Sequence, residues 1–158
     1  MAGRCPSGAV RVERLDGGQG EVPSGRNVIA VLENGPLAVR GQVVVAGQEV
    51  PRATLCRCGA SGNKPFCDGS HAAAAFVATG DLPVPAELPA WGEAGPLVVT
   101  AMENGPLKVG GAHEVTSGGG KPAARAEKAF LCRCGASSRK PFCDGSHRAA
   151  GFVAPGVE

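Results

Sequence analysis

Aromatic residues and long apolar runs are scarce in this sequence. Its 158 residues include five Phe, one Trp and no Tyr, so aromatic side chains contribute little to any core. No apolar run approaches the roughly 18 residues of a membrane-spanning helix. The first twenty residues also lack the apolar stretch of a secretory signal. We therefore expect a soluble protein without membrane association.

Strong charge of either sign is also missing. The formal net charge is +2 and the basic residues form no run of five or six, which argues against nucleic-acid binding. The sequence has no Ser-His-Asp order and no paired-carboxylate motif. The glycines at 118–120 lack the following Lys-Ser/Thr of a phosphate loop. We therefore predict that the protein is not an enzyme.

Glycine and proline are abundant instead, with 25 and 13 residues. Both residue types favour turns over long regular elements. A unit of about 60 residues buries too little surface to be comfortably stable alone, and small scaffolds are often stabilised by a metal site. The composition therefore predicts a turn-rich fold that depends partly on bound cofactors.

A sixteen-residue cassette occurs twice, almost unchanged. The segment Cys56–His71 recurs as Cys132–His147, and the copies differ only at Gly62/Ser138 and at Asn63/Arg139. Each copy has the spacing C-x-C-x8-C-x3-H, which places three thiols and one imidazole within a short span. Such a set indicates a metal or cluster site. Thiolate ligands must stay reduced, so we expect a cytoplasmic protein, or one of an organelle matrix.

The repeat is longer than the cassette. The segment Glu33–Val39 returns as Glu103–Val109, and six additional residues separate it from the cassette in the second copy. We place this insertion in a loosened hairpin loop over Ser117–Pro122. The chain is accordingly divided into an N-terminal extension (1–26), repeat 1 (27–80), a Pro-rich connector (81–96) and repeat 2 (97–158). The apolar residues of the connector, Leu82, Val84, Leu88 and Trp91, are expected to hold it against the surface of the protein.

Short runs rich in Val and Ile predict that each repeat is built from strands. In repeat 1 these runs are 27–32, 37–39 and 42–45, with strong turn chemistry at Asn34-Gly35-Pro36. Helix is expected only for a turn or two after Asp68 and Asp144, as in Ser70–Ala75, because Asp is a good N-cap. The fold class is therefore small and β-rich with short helices.

The ligand spacing leaves two kinds of site open. Three Cys and one His bind either a tetrahedral zinc ion or an iron–sulfur cluster. Zinc knuckles prefer two to four residues between paired thiolates, whereas one residue separates Cys56 from Cys58 and Cys132 from Cys134. The spacing favours a cluster, but the preference of soft metals for thiolates allows both.

The cassettes resemble the CDGSH iron–sulfur family. The resemblance rests on Cys58, Ser61, Pro65 and the run Cys67-Asp68-Gly69-Ser70-His71, with the same positions in the second copy. It extends over roughly residues 27–155 and implies two tandem repeats that pack as a pseudo-twofold dimer within one chain. It also implies two [2Fe-2S] clusters, with these ligands: Cys56, Cys58, Cys67 and His71; Cys132, Cys134, Cys143 and His147.

The resemblance implies electron transfer or iron–sulfur cluster transfer. The expected partner is a redox protein or an apo iron–sulfur acceptor protein, and the chain is expected to be monomeric. A zinc-stabilised interaction module and a redox or iron sensor are the alternatives.

The sequence also predicts roles for some residues outside the ligand set. We expect Asp68, Ser70, Asp144 and Ser146 to support the ligands, either as a helix cap or as hydrogen-bond donors to the site. Arg57 and Arg133 are interpreted equally as solvated cations and as groups that offset cluster charge or dock an acidic partner. Cys5 is expected to be a tail thiol, and His113 a surface residue.

Overall fold

The computed structural model describes residues 25–158, and it is built from strands with two one-turn helices. The predicted N-terminal extension, with Cys5, lies outside the described residues except for positions 25 and 26. The β-rich class predicted from the sequence is confirmed. The elements are β1 (Asn27–Val31), β2 (Leu37–Val45), β3 (Gln48–Leu55), α1 (Ser70–Ala73), β4 (Leu97–Ala101), β5 (Leu107–Ser117), β6 (Pro122–Leu131) and α2 (Ser146–Ala149).

The sheet joins the two repeats through their first strands, each of which pairs with a strand of both repeats. Within each repeat three strands form an antiparallel meander, with β2 between β1 and β3 and β5 between β4 and β6. In addition, β1 runs parallel to β5 of the other repeat, and β4 runs parallel to β2. The pairings β1–β2–β4–β5–β1 therefore close into a ring, which gives the pseudo-twofold arrangement of the two repeats.

The core is the inner face of this ring. Residues alternate between buried and less buried positions along β1 and β4, as expected for strands that have one face in the core. The side chains of the hydrophobic core are aliphatic and come equally from both repeats, which couples their folding. They include Ile29, Val31, Leu37, Val39, Leu55, Leu97, Val99, Leu107, Val109 and Leu131.

The six-residue insertion of repeat 2 lengthens a hairpin more than it loosens one. The turn between β2 and β3 has two residues, 46 and 47, and the turn between β5 and β6 has four, 118–121. The remaining four residues extend β5 and β6 by two residues each relative to β2 and β3. The predicted loop therefore accounts for only part of the insertion, because added residues that continue the strand ladder satisfy their backbone groups.

The connector lies against the sheet at two points. Leu82 is buried in the core, and just before the connector the backbone of Gly80 packs on the end of β1. Trp91 is half-buried, with the guanidinium carbons of Arg26 and Arg125 at 4.7 and 4.9 Å from its ring centroid. Val84, in contrast, is largely exposed. The expectation that it packs against the protein therefore fails for this residue.

His113 is not a surface residue, as the sequence suggested, but is 1% exposed. It lies on β5 opposite Asn27, and the equivalent positions of the other repeat hold Val43 and Leu97. A buried polar pair thus replaces an apolar pair. The Nδ1 atom of His113 lies 2.7 Å from the Gly111 carbonyl oxygen and donates to it, whereas its Nε2 atom has no partner.

Burial lowers the pKa of His113, so acid destabilises this position. The unfolded chain takes up a proton on this imidazole below about pH 6.5 while the folded protein resists it, so stability falls as the pH drops through that region. We expect His113→Val to remove this loss. Unfolding midpoints of the variant and the native protein, measured from pH 5.5 to 8, test this prediction. The pH dependence of the metal ligands is common to both proteins and cancels in the difference between them. A stability difference between variant and native protein that does not vary with pH would contradict the assignment.

Among residues 25–158, no helix has the length and apolar character needed to cross a bilayer.

Candidate metal centres

Each cassette follows the last strand of its repeat, and the strand holds both ends of the cassette together. In repeat 1 the Cys56 amide donates to the Pro65 carbonyl (2.8 Å), and the Cys67 amide donates to the Thr54 carbonyl (2.9 Å). Phe66 forms a bridge with Leu55, the last residue of β3. The chain therefore folds back so that Cys67 returns next to the start of its own cassette. Repeat 2 has the same bonds at the equivalent positions.

The four predicted ligands of each repeat lie in two contacting pairs. In repeat 1 the Sγ atoms of Cys56 and Cys58 are 3.8 Å apart, and Cys67 Sγ lies 3.5 Å from His71 Nδ1. The corresponding distances in repeat 2 are 3.7 and 3.5 Å. Among residues 25–158, no three His, Cys, Asp or Glu side chains gather as ligands of a single ion. Each repeat thus presents two donor pairs.

The distances within the pairs fit ligands that share a tetrahedral metal ion. Bonds of about 2.3 Å to sulfur and 2.0–2.1 Å to nitrogen, at tetrahedral angles, separate two sulfurs by about 3.8 Å and a sulfur from a nitrogen by about 3.6 Å. All four ligands of repeat 1 line the same small pocket. The donor set and its spacing therefore fit a centre with two metal ions, each held by one pair.

Backbone amides face two sulfurs of each repeat. The amide of Ala60 donates to Cys58 Sγ and that of Gly69 to Cys67 Sγ, both at 3.4 Å, with the same contacts in repeat 2. Burial raises the pKa of the Cys58 and Cys67 thiols, and these amides oppose the rise. Metal binding must therefore displace protons from these thiols, and the amides stabilise the resulting thiolates.

The Asp-Gly-Ser turn has the same geometry in both repeats, and this geometry differs from the predicted helix cap. The N-cap residue of α1 is Gly69, in the left-handed region, and the helix spans only four residues. Asp68 acts one position earlier, where it accepts the amides of Ser70 (2.9 Å) and Gly62 (2.8 Å). These bonds and the Ser70 hydroxyl hold the pKa of Asp68 well below its usual range. Asp144 and Ser146 have the same arrangement in repeat 2.

Ser70 was expected to donate to the ligands, but its hydroxyl faces Asp68 instead. The direct donors to sulfur in the cassette are backbone amides. Asp68 and Ser70 therefore support the site by fixing the loop between Cys58 and Cys67 against the turn that carries His71.

Arg57 is a buried cation with a structural role. The sequence was interpreted as giving either a solvated cation or a group that offsets cluster charge or docks an acidic partner, and neither interpretation included this role. It is 1% exposed and binds four backbone carbonyls. Its Nε donates to Gly35 (2.9 Å) and its Nη2 to Leu32 (2.6 Å), both around the Asn-Gly-Pro turn. It also reaches the closing segment at Ala78 and Thr79, both at 3.2 Å. Arg57 thus clamps the turn to the segment that follows the ligands.

Arg133 repeats this clamp with one bond fewer. It binds the carbonyls of Gly105, Met102 and Pro155, and its Nη1 is buried without a partner. Burial lowers the pKa of both arginines, and a thiolate of the opposite repeat opposes this: Cys132 for Arg57, and Cys56 for Arg133. Each cation therefore lies within electrostatic reach of a thiol of the other repeat, and Arg57 also interacts with Glu33 and Cys58 of its own repeat. A signal was present in the sequence, since both copies place Arg between two ligands.

The two centres meet at the pseudo-twofold axis. A Cβ atom added to Gly59 would lie 2.5 Å from the carbonyl oxygen of Cys134, and one added to Gly135 would lie 2.5 Å from that of Cys58. Both glycines have a positive φ, near 80°. The backbone of each ligand loop therefore rests directly on the other. The sequence did not indicate this contact, because nothing local distinguishes a packing glycine from a turn glycine.

The fold and the paired donors define a tandem metal-binding protein with one centre in each repeat. A family model described as iron-binding zinc finger, CDGSH type, matches the chain at residues 34–72 and again at 104–148. The two matches together cover more than half of the chain, so the chain belongs to this family and is an iron–sulfur cluster-binding protein. A search of curated proteins returned no match.

Proposed function

We propose that each repeat binds one [2Fe-2S] cluster and that the protein is a one-electron carrier without catalysis of its own. The observation that carries the proposal is the division of each ligand set into two pairs at metal-sharing distances. A [2Fe-2S] cluster has two irons, each of which takes two protein ligands. A structural zinc site would instead gather all four donors around one ion.

In this proposal Cys56 and Cys58 hold one iron of repeat 1, and Cys67 and His71 hold the other. Cys132 with Cys134 and Cys143 with His147 do the same in repeat 2. The cluster supplies reversible one-electron chemistry when it is bound. The protein contributes the amides that face sulfur, the cross-repeat arginines that offset negative charge, and a fold that keeps the two ligand loops in contact.

Transfer of the intact cluster to an acceptor is the second candidate function. It is favoured by the position of the histidine ligands, because His71 and His147 are half-exposed whereas Cys56 and Cys132 are buried. A neutral imidazole at the exposed edge is the ligand that an acceptor thiolate most readily replaces. In this case the cluster is cargo, and its loss from the protein accompanies transfer.

Substitution of ligands tests the assignment of two centres per chain. We expect Cys56→Ser/Cys58→Ser to lower the iron and sulfide content of the protein from about four each per chain to about two, because the other repeat keeps its centre. The matched pair Cys132→Ser/Cys134→Ser should give the same result, and Cys5→Ser should leave the content unchanged. Retention of four irons in either double variant would exclude the ligand assignment.

The ligand set also predicts the reduction potential. All-cysteine plant-type clusters lie near about −400 mV, and clusters with two histidines lie between about −150 and +300 mV. One neutral imidazole in place of a thiolate makes the added electron less costly, so we expect a value within about 200 mV of zero. Potentiometric titration measures it, and a value below about −350 mV would contradict the assignment of histidine as a ligand.

Carrier and transfer roles give different results with the same sample. A carrier is reduced and reoxidised in repeated cycles with its iron content unchanged, and its partner is a redox protein. A transfer protein loses iron to an apo iron–sulfur acceptor. We propose a monomer that acts in the cytoplasm or an organelle matrix, where thiolates stay reduced.

A further inference from the structure

The two centres have the same types of ligand and the same backbone conformation. They differ in the charge of the residues around them. Arg139 in the loop between the ligand pairs replaces Asn63 of repeat 1, and Arg148 directly after a ligand histidine replaces Ala72. Both arginines are exposed. Within the part of the chain that the structure describes, neither forms an ion pair. Asp144 has an exact counterpart in Asp68, so it does not cancel the difference.

An exposed apolar residue follows each histidine ligand. The Phe152 amide donates to the His147 carbonyl (3.0 Å), and the next residue, Val153, is 80% exposed. Repeat 1 has the same feature at Val77, which is 82% exposed. The ammonium group of Lys64, which belongs to repeat 1, lies 6.0 Å from the ring of Phe152. This ammonium donates to the Ser61 carbonyl, and Lys140 makes the same bond to Ser137, so the two lysines do not distinguish the repeats.

We propose that the face of repeat 2, defined by Arg139, Arg148 and Val153, is the docking surface for an acidic electron-carrier protein. This inference rests on the function proposed above and names the kind of partner. An exposed apolar residue with charges around it is the usual composition of a transient interface. The cations attract a carboxylate-rich partner and orient it, so electrons enter or leave through one centre of the two.

The repeat itself supplies the matched variants. Arg139→Asn/Arg148→Ala gives the second face the residues of the first, and Asn63→Arg/Ala72→Arg does the reverse. Arg40→Ala/Lys121→Ala removes two exposed cations outside the cassettes and controls for net charge. All of these positions are exposed, so we expect every variant to keep its iron and sulfide.

Flavodoxin, an acidic one-electron carrier, serves as the probe, immobilised for equilibrium binding of the holo-protein at 20 and 200 mM NaCl. We expect one flavodoxin per chain, with an affinity that falls at high salt because charges separated by more than about 10 Å are screened there. Arg139→Asn/Arg148→Ala should weaken binding by about fivefold at low salt. The net-charge control should change it by less than about twofold, and Asn63→Arg/Ala72→Arg should raise the stoichiometry to two.

Two results would overturn the docking proposal: equal loss of affinity in the Arg139→Asn/Arg148→Ala variant and the net-charge control, or two flavodoxins bound per native chain. Neither result bears on the function proposed above, which depends on the iron and sulfide content and on reversible reduction. Conversely, a protein that binds flavodoxin as expected but holds zinc would retain the docking surface for an acidic partner and lose the electron-carrier function.

Discussion

Replacing Arg57 with Met is expected to lower the free energy of unfolding by about 3–5 kcal/mol. The methionine fills part of the volume but donates no hydrogen bonds, so the Gly35 and Thr79 carbonyls lose their donor, while those of Leu32 and Ala78 keep a backbone amide. An unsatisfied buried carbonyl costs about 1–3 kcal/mol. The turn and the closing segment would separate, and we expect the centre of repeat 1 to lose iron more readily.

The pseudo-symmetry provides the control for this prediction. Arg133→Met should destabilise the protein less than Arg57→Met, because Arg133 binds three carbonyls and one of its nitrogens is already without a partner. Thermal unfolding of the holo-protein measures both, with an expected fall in Tm of about 10 °C or more for Arg57→Met. If that variant does not fold, Arg57→Lys provides the test, because lysine keeps the positive charge but has fewer hydrogen-bond donors than arginine. We expect Arg57→Lys to fold, with a stability below that of the native protein and above that of Arg57→Met. Equal stability of the two Met variants would show that the hydrogen bonds do not decide the effect.

Gly59→Ala is expected to damage the centre of the other repeat. The new Cβ would lie 2.5 Å from the carbonyl oxygen of Cys134. This neighbour is backbone and not the end of a flexible side chain, so the clash can be relieved only by displacing the backbone. Overpacking of this kind costs about 1–3 kcal/mol, and the positive φ costs an alanine about 1–2 kcal/mol more. The displaced backbone carries Cys134, a proposed ligand of repeat 2.

A single-site protein locates this damage. In a Cys67→Ser/His71→Ala background, only repeat 2 is expected to hold iron, so iron lost on adding Gly59→Ala comes from across the axis. Gly120→Ala is the matched control, since Gly120 also has a positive φ, of 87°, but nothing lies near its Cβ position. We expect the control to cost only the strain and to retain its iron. Equal iron loss in both variants would mean that backbone strain, not the contact between repeats, is responsible.

The ligands were predictable because they are local. Three Cys and one His within sixteen residues already restrict the chemistry, and two copies exclude coincidence. The first two strands of each repeat were predictable for the same reason, since runs such as Asn27–Val31 carry their own β preference, whereas no run was identified for β3 or β6. Leu82 was correctly expected to pack on the protein, whereas the same expectation fails for Val84.

What the sequence did not predict depends on partners far along the chain. Arg57 is buried because carbonyls at Leu32 and Gly35 surround it, more than twenty residues away. His113 is buried because β5 lies beside β1 of the other repeat. Neither neighbour is visible in the local pattern, so both residues were assigned from the average behaviour of their type.

Iron, acid-labile sulfide and zinc, measured on the same anaerobically purified sample together with its visible spectrum, test the central claim most directly. Two [2Fe-2S] centres predict about four irons and four sulfides per chain, no zinc, and a coloured protein that is bleached reversibly by a one-electron reductant. A colourless protein with about two zinc ions and no sulfide, from a preparation shown not to have lost iron, would contradict it.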